Sequence, residues 1–349
     1  MHARREAEDR LGGRYEARVL VPSPPAMTEP PYFADDPVDV GDRAGDRPVI
    51  SPVPNADETW DGLLREERAL EAWCADRWLG GWRRLPDPPD GVEQSRRGLH
   101  TLAEWVLSPA RTAANGKIGL RFTYGGVGTP FFRAADGDRQ VRVDGVELVV
   151  DSGDTERRFP LTTLSDAAAQ AACGLEGPTA YTPSTTRDDD APRLVEPDGA
   201  AFYAAWFGFS TSVLEELRAE AHADEEPARV QLWPEHFDLS VELGAEADGR
   251  RAGFGCSPGD GEHPLPYAYV TPWGDVPDDP YWTEPHFRGA RIGWDAIAAA
   301  VDQRDAVLEF FRQGRDLLRS VSRKYAAESL ADFLETHGGG SGALSGGGG

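Results

Sequence analysis

The sequence predicts an α+β fold in which antiparallel β-meanders pack against helices. Three observations predict it: apolar residues recur at helical spacing in some segments, they alternate with polar residues in others, and Gly-containing turns join the alternating segments. Helices and hairpin-linked strands come in separate blocks, which favours α+β over a parallel sheet wound with helices.

Helices open and close the first block, residues 57–185. Asp57 is expected to cap the first helix, and a shorter helix is predicted over Leu99–Leu107 after a polar loop. An alanine-rich helix capped by Thr163 or Ser165 ends the block.

Strands fill the middle of this block. Alternation predicts one strand over Lys117–Tyr124, and a second strand is predicted over Pro130–Arg133. Asp144-Gly145 lies between two valine-rich alternating segments and predicts a two-residue hairpin loop of type I′.

The second block, residues 186–335, has the same order. Asp198 is expected to cap a helix that reaches Leu217, and alternation over His236–Leu243 predicts a strand whose odd-numbered residues face the core. Three further segments are predicted: a strand from the Asp248-Gly249 turn through Phe254, a strand over Leu265–Thr271, and closing helices from Ile297 to Val321. The shared order of helix, meander and helix allows two similar lobes as one interpretation.

Residues 1–56 and 336–349 are predicted to be disordered tails. The first is rich in Pro, Asp, Arg and Glu, the second in Gly and Ser, and neither has an apolar period. Met27 is the second methionine of the chain, so translation from Met27 is an alternative to translation from Met1.

Composition excludes several classes of protein. Ten tryptophans and 14 phenylalanines are ample for a hydrophobic core, which excludes general disorder. The net charge of −24 argues against nucleic acid or an anionic membrane as a partner, because both are bound by Lys and Arg. Neither Lys117 nor Lys324, the two lysines, lies in the context of a Schiff-base or phosphate-binding lysine.

Cys74, Cys173 and Cys256 are too few and too widely spaced for a disulfide framework or a zinc ribbon. The sequence has no signal-peptide pattern, and it lacks an apolar segment of the roughly 20 residues that cross a bilayer. A soluble, cytoplasmic protein is therefore expected.

Gly255-Cys-Ser-Pro-Gly259 matches the G-x-S-x-G pattern of serine hydrolases. Pro258 follows the serine and has no N–H to offer an oxyanion hole, so the match fails. A nucleophilic Cys256 with His263 as its base is a second possibility, and a buried cysteine at the end of a strand is the simpler interpretation. The glycines on either side of Phe254 are interpreted as turn or bulge glycines.

His236 and Asp238 form the candidate metal site. Residues i and i+2 of a strand project from the same face, so imidazole and carboxylate could share a divalent metal ion with His286 or His263. With His286 they would resemble the facial triad of non-haem iron oxygenases, although Ala296 stands where those enzymes usually carry an arginine. The alternative is that both residues lie on the solvent side of a half-buried sheet.

Aromatic residues and prolines are concentrated in residues 232–294. Such a composition is typical of a pocket with aromatic walls, and equally of a packed seam between sheet and helices. The ligand-binding candidates in this segment are Trp233, His236, Asp238, His263, Tyr267, Tyr269 and Trp273.

Distinctive phrases in the second block are Leu232-Trp-Pro-Glu-His-Phe-Asp-Leu239, Ser257-Pro-Gly-Asp260 and His263-Pro-Leu-Pro-Tyr-Ala-Tyr-Val270. They resemble an uncharacterised family of conserved hypothetical proteins from GC-rich actinobacteria, over most of residues 57–320. The resemblance implies a cytoplasmic bacterial protein and carries over no catalytic residue.

Two functions are compatible with the sequence. The first is a non-catalytic protein, with no cofactor, that binds an unknown small molecule or protein partner at the aromatic segment. The second is a metal-dependent enzyme that uses His236 and Asp238 with His263 or His286 and needs a divalent metal ion. The lack of a recognised catalytic pattern favours the first and leaves enzyme activity undecided.

Overall fold

A computed structural model describes residues 84–337 except Tyr124, Phe131, residues 135–136, 153–154, Thr179, residues 192–194 and Pro277. The predicted helix after Asp57 and the tail of residues 1–56 lie outside the described residues. So does the 336–349 tail, apart from its first two residues, which belong to the last helix.

The first block opens with one long helical segment. It comprises α1 (Val92–Leu102), a π-helical turn (Ala103–Leu107) and α2 (Ser108–Asn115). The prediction of a polar loop before Leu99 was wrong, because the buried face of α1 includes the polar residues Ser95 and Arg96 and so breaks the apolar pattern. Gly116, with φ of 75°, ends α2 in the left-handed conformation that glycine favours.

Six strands follow, and every pairing among them is antiparallel. They are β1 (Arg121–Thr123), β2 (Gly126–Gly128), β3 (Phe132–Ala134), β4 (Gly137–Asp144), β5 (Glu147–Asp151) and β6 (Glu156–Pro160). Their order is β1-β2-β4-β5-β6, with β3 paired to β4. Helix α3 (Leu164–Ala171) closes the block, capped by Thr163, whose Oγ1 accepts the Asp166 N–H at 3.1 Å.

The predicted β4–β5 hairpin forms, but its loop is one residue later than predicted. Asp144 pairs with Glu147, so the two loop residues are Gly145 and Val146. Gly145 has φ of 63° at the first central position, which suits a type II′ turn better than the predicted type I′.

The second block follows the predicted order. Its elements are α4 (Pro197–Ala219), β7 (Gln231–Trp233), β8 (Asp238–Leu243), β9 (Ala252–Ser257), β10 (Tyr267–Pro272), β11 (Ala290–Gly293), α5 (Trp294–Ala299) and α6 (Gln303–His337). The five strands form an antiparallel meander in the order β11-β10-β9-β8-β7. Glu196, not Asp198, is the N-cap of α4, because the proline that suits the first helical position stands at residue 197.

The predicted α+β class is confirmed. The edges of the two sheets meet at one antiparallel bridge, in which the N–H groups of Leu120 and Leu232 donate to each other's carbonyl oxygens at 2.8 and 2.9 Å. Helix α4 packs against strands of both sheets. Buried side chains from both blocks belong to one hydrophobic cluster. The division into domains at residue 185 and the origin of the two blocks by duplication stay predictions.

Among the described helices, α4 packs against one face of the second sheet. Leu239, Val241 and Leu243 project from β8 toward α4 and are each 1% exposed. Alternation along β8 then directs Asp238, Ser240 and Glu242 to the opposite face, as predicted. Among the helices that the structure describes, none is long and apolar enough to cross a membrane.

Candidate functional site

The turn between β7 and β8 determines where the polar face begins. Phe237 has a left-handed backbone, with φ of 55°, and its N–H donates to the Trp233 carbonyl at 2.7 Å. This conformation is uncommon outside glycine. It directs the Phe237 ring into the core, where it stacks on His100 with centroids 5.1 Å apart. The strand therefore starts at Asp238, and His236 lies exposed in the turn rather than on the predicted strand.

The face of β8, β9 and β10 that lies away from α4 forms the floor of an open cavity of about 610 Å³. The walls are aromatic, from Trp233, Tyr267, Tyr269, Trp273 and Phe287. Four lining residues carry carboxylates, namely Glu235, Asp238, Glu242 and Asp260. The lining is completed by His236, Ser240, Gly253, Ser257 and Thr271.

Glycines in β9 allow side chains of β10 to reach β8. Gly255 is paired with Ser240 on one side and Tyr269 on the other. A Cβ atom at Gly255 would lie 2.3 Å from Cζ of Tyr269, so the ring lies directly over the glycine. The phenol of Tyr269 thereby reaches past β9 and donates a hydrogen bond to Oδ2 of Asp238. The interpretation of these glycines as turn or bulge residues was wrong, because both lie in regular strand pairing.

Asp238 is the least solvated carboxylate of the cavity lining. It is only 6% exposed, and its Oδ1 is buried without a hydrogen-bond partner among the described residues. Burial raises the pKa of Asp238, and the Tyr269 hydrogen bond and the nearby His236 only partly oppose this rise. A half-satisfied buried carboxylate on a cavity wall is a binding or catalytic candidate on physical grounds.

Asp260 provides a contrast at the other end of the cavity. Its Oδ1 accepts the backbone N–H groups of Glu262 and His263 at 2.8 and 2.7 Å, and its Oδ2 accepts the Tyr267 hydroxyl at 2.5 Å. Burial disfavours the charged form, but these hydrogen bonds outweigh it and lower the pKa of Asp260. Asp260 thus organises the loop after β9, and its hydrogen-bonding capacity is largely used.

Six of the seven ligand-binding candidates named from the sequence line this cavity: Trp233, His236, Asp238, Tyr267, Tyr269 and Trp273. The seventh, His263, packs edge to face against Tyr267, with ring centroids 5.2 Å apart, and is not part of the lining. Sequence reasoning missed four lining residues with charged or aromatic side chains, which are Glu235, Glu242, Asp260 and Phe287. Gly253 and Gly255 lie two residues apart and so share one face of β9. This pattern in the sequence could have indicated that side chains of neighbouring strands approach closely over β9.

The predicted metal set of His236, Asp238 and His286 does not assemble. In the described part of the chain, one group of three potential ligands lies with its ligand atoms within 4.8 Å of one another, and it consists of His263, Glu284 and His286. His236 and Asp238 do not belong to it, because the β7–β8 turn carries His236 out of the strand.

The His263–Glu284–His286 group is held together by hydrogen bonds and by an ion pair with Arg291. Oε2 of Glu284 accepts Nε of Arg291 at 2.7 Å, and Oε1 accepts the backbone N–H of His286 at 3.1 Å and faces Nε2 of His263 at 3.3 Å. The side chain of Glu284 is 2% exposed. A metal ion would have to displace the guanidinium of Arg291 or share the carboxylate with it, which disfavours a metal centre here.

Cys256 and Ser257 do not form a nucleophilic site. Cys256 is fully buried on the core side of β9, and burial raises its pKa to about 12, so the thiol stays protonated. Ser257 ends the strand, and its Oγ accepts the Gly259 N–H at 3.1 Å in a loop rather than at the start of a helix.

Comparison with protein-family models, curated proteins and solved structures gives no match for this chain. The resemblance to actinobacterial proteins therefore stays a prediction. The site offers aromatic surfaces, hydroxyl groups and two carboxylates that each have a buried oxygen without a hydrogen-bond partner among the described residues, which together suit recognition of a small molecule.

Proposed function

We propose that this protein binds a small molecule in the cavity above β8, β9 and β10, without transforming it. The observation that carries the proposal is the convergence of six candidates, chosen for their chemistry, on one cavity of about 610 Å³. That volume lies within the roughly 300–1,000 Å³ that small-molecule sites occupy.

The hydroxyl groups of the lining support binding rather than catalysis. A nucleophilic hydroxyl needs a hydrogen-bonded base. Oγ of Ser240 instead accepts Nε1 of Trp233 at 3.0 Å, and Oγ of Ser257 accepts a backbone N–H. Burial raises the pKa values of Tyr267 and Tyr269 well above the ordinary phenol value, so both act as hydrogen-bond donors.

A small molecule fits the shape better than a protein partner does. The polar floor is enclosed between aromatic side chains, and Trp273, 54% exposed, stands at the solvent side. A flat protein surface would reach Trp273 but not the carboxylate of Asp238, whereas a small ligand reaches both.

We also propose that the protein is bacterial and cytoplasmic and that nucleic acid is not its partner. Free thiols at Cys173 and Cys256 support a reducing compartment. The net charge of −24 supports the exclusion of nucleic acid.

The test is a fragment screen by ligand-observed NMR on the wild type and two tryptophan variants. Thr271→Trp would place an indole in the cavity and obstruct it, and Thr283→Trp, at an exposed position outside the lining, is the control. Fragments should bind the wild type and Thr283→Trp but not Thr271→Trp, and should be recovered unchanged. Binding that survives in Thr271→Trp, or no binding to the wild type, would reject the proposal. Chemical conversion of a bound fragment would show that the protein is an enzyme and would also reject it.

A further inference from the structure

We infer that the ligand of this cavity is a small organic cation, a protonated amine that pairs with the carboxylate of Asp238. This inference rests on the proposed function and specifies its ligand class. Three independent features support it: the charge of the lining, the unused hydrogen-bonding capacity of two carboxylates, and the aromatic walls.

The lining has the wrong charge for an anion. Among the described residues, the lining itself contains four carboxylates, one histidine, His236, and no Lys or Arg. Arg251 lies next to the lining and pairs with one of these carboxylates, Glu242. A carboxylate or phosphate ligand would lose part of its hydration and enter a site with carboxylates of the same charge, which is unfavourable. An ammonium group meets the opposite field and is attracted.

Two of the four carboxylates are already satisfied. Oε2 of Glu242 pairs with Nη2 of Arg251 at 2.9 Å, and Asp260 accepts three hydrogen bonds. Asp238 and Glu235 differ from these two, because each has a buried oxygen with no hydrogen-bond partner among the residues described. A buried acceptor without a donor costs free energy, and a cationic N–H donor would remove that cost at Asp238 and compensate its charge.

The aromatic walls favour the same ligand. Tyr267 and Tyr269 lie with centroids 6.1 Å apart, and Phe287 lies 6.0 Å from Tyr269. Ring faces attract cations that have lost their water. Two aromatic side chains of the lining already contact cations of the protein: Arg291 lies over Tyr267 at 5.8 Å and Arg251 over Trp273 at 5.7 Å.

A hydrogen-bonding amine fits better than a quaternary ammonium. Tyr269 uses its O–H on Oδ2 of Asp238, so Oδ1 needs a donor from elsewhere. A protonated primary or secondary amine provides both the donor and the charge. A quaternary ammonium provides only the charge and leaves Oδ1 without a hydrogen bond.

The experiment is isothermal titration calorimetry with four small aromatic probes that differ in charge or in the presence of an N–H donor. Benzylamine carries the proposed cation, benzyl alcohol is its neutral counterpart, benzoate is the anion, and benzyltrimethylammonium is the cation without N–H. Benzylamine should bind the wild type roughly ten- to a hundredfold more tightly than benzyl alcohol, the usual effect of a charged hydrogen bond. A fifth probe, N-acetyl-lysine methylamide, shows whether the amine belongs to a free molecule or to a peptide. If this probe binds the wild type more tightly than benzylamine does, the amine is assigned to a peptide.

Variants then locate the effect. Asp238→Asn should reduce benzylamine affinity roughly ten- to a hundredfold and leave benzyl alcohol affinity nearly unchanged. Asp275→Asn removes the same charge from an exposed residue outside the lining and is expected to retain wild-type affinity. The wild-type comparison of the probes is decisive even if Asp238→Asn does not fold.

The outcomes separate this inference from the proposed function. If benzyl alcohol or benzoate binds the wild type as tightly as benzylamine, and Thr271→Trp abolishes that binding, the cavity is a binding site but the cation assignment is wrong. If Asp275→Asn loses as much affinity as Asp238→Asn, the attraction is general to the acidic surface and the assignment to Asp238 is wrong. If none of the probes and no screened fragment binds, the proposed function itself fails.

Discussion

The ring of Tyr269 lies directly over Gly255, in a place where a Cβ atom would come within 2.3 Å of Cζ. The glycine sits in the strand between Tyr269 and Asp238, and its lack of a side chain is what lets the phenol donate to that carboxylate. The pairing at the cavity floor therefore depends on a residue that contributes no functional group.

Gly255→Ala is expected to destabilise the protein by about 1–3 kcal/mol, the usual cost of overpacking a filled space. The added methyl group must displace the Tyr269 ring and so break its hydrogen bond with Asp238. Gly253→Ala is the matched control, because its Cβ would meet only Oγ1 of Thr271, at 3.0 Å. Denaturant unfolding measures both, and an equal cost at the two positions would contradict this account.

Tyr269→Phe should cost about 1–3 kcal/mol, because it leaves both oxygens of the Asp238 carboxylate without the donors they need. In the Asp238→Asn background the same change should cost less, since the buried charge is gone. A double-mutant cycle of unfolding free energies gives the coupling directly. Additive effects would show that the two side chains do not interact energetically.

Asp238→Asn should be more stable than the wild type at neutral pH. The folded-state pKa of Asp238 lies above its ordinary value of 3.8, mainly because of burial. Below pH 3.8 both folded and unfolded chains hold the proton, so ionisation costs nothing; as the pH rises through the folded-state pKa, the wild type pays the full cost of a buried charge. The stability advantage of the variant should therefore grow with pH.

Asp260→Asn provides the control of opposite sign. The pKa of Asp260 is lowered, because the effect of its hydrogen bonds outweighs that of burial. Its ionised form therefore stabilises the fold above pH 3.8, and this stabilisation is lost as the pH falls through the lowered pKa. The variant should be less stable than the wild type at neutral pH, by a margin that shrinks in acid. Unfolding free energies are measured from acid to neutral pH. The same trend for Asp238→Asn and Asp260→Asn would contradict the opposite pKa shifts of the two carboxyl groups.

A chelator should leave the unfolding midpoint of the wild type unchanged. The His263, Glu284 and His286 side chains already have Arg291 as their cation, so their geometry does not depend on a metal ion. A chelator-induced loss of stability that disappears in His263→Ala would instead favour the metal-dependent enzyme. Elemental analysis of protein purified without nickel measures the bound metal directly and is the second test.

The strands and helices of the second block were largely predictable. Leu239, Val241 and Leu243 alternate with polar residues, and a period of two places all three on one apolar face. The start of β8 was not predictable, because the left-handed backbone of Phe237 separates His236 from the strand. No local sequence pattern signals such a conformation outside glycine. The polar loop predicted before Leu99 failed for a related reason: Ser95 and Arg96 are buried by contacts with distant residues 196 and 259.

The sequence by itself determined the fold class, the antiparallel meander and the residue types of the cavity, because hydrophobic period and turn chemistry are local properties of the chain. Only the tertiary structure decided which polar residues act together. It separated His236 from the strand, gathered His263 and His286 around Glu284, and left one oxygen of Asp238 without a donor among the described residues. These relationships join residues on different strands and loops, and their energies depend on burial and distance, neither of which is encoded at a single position.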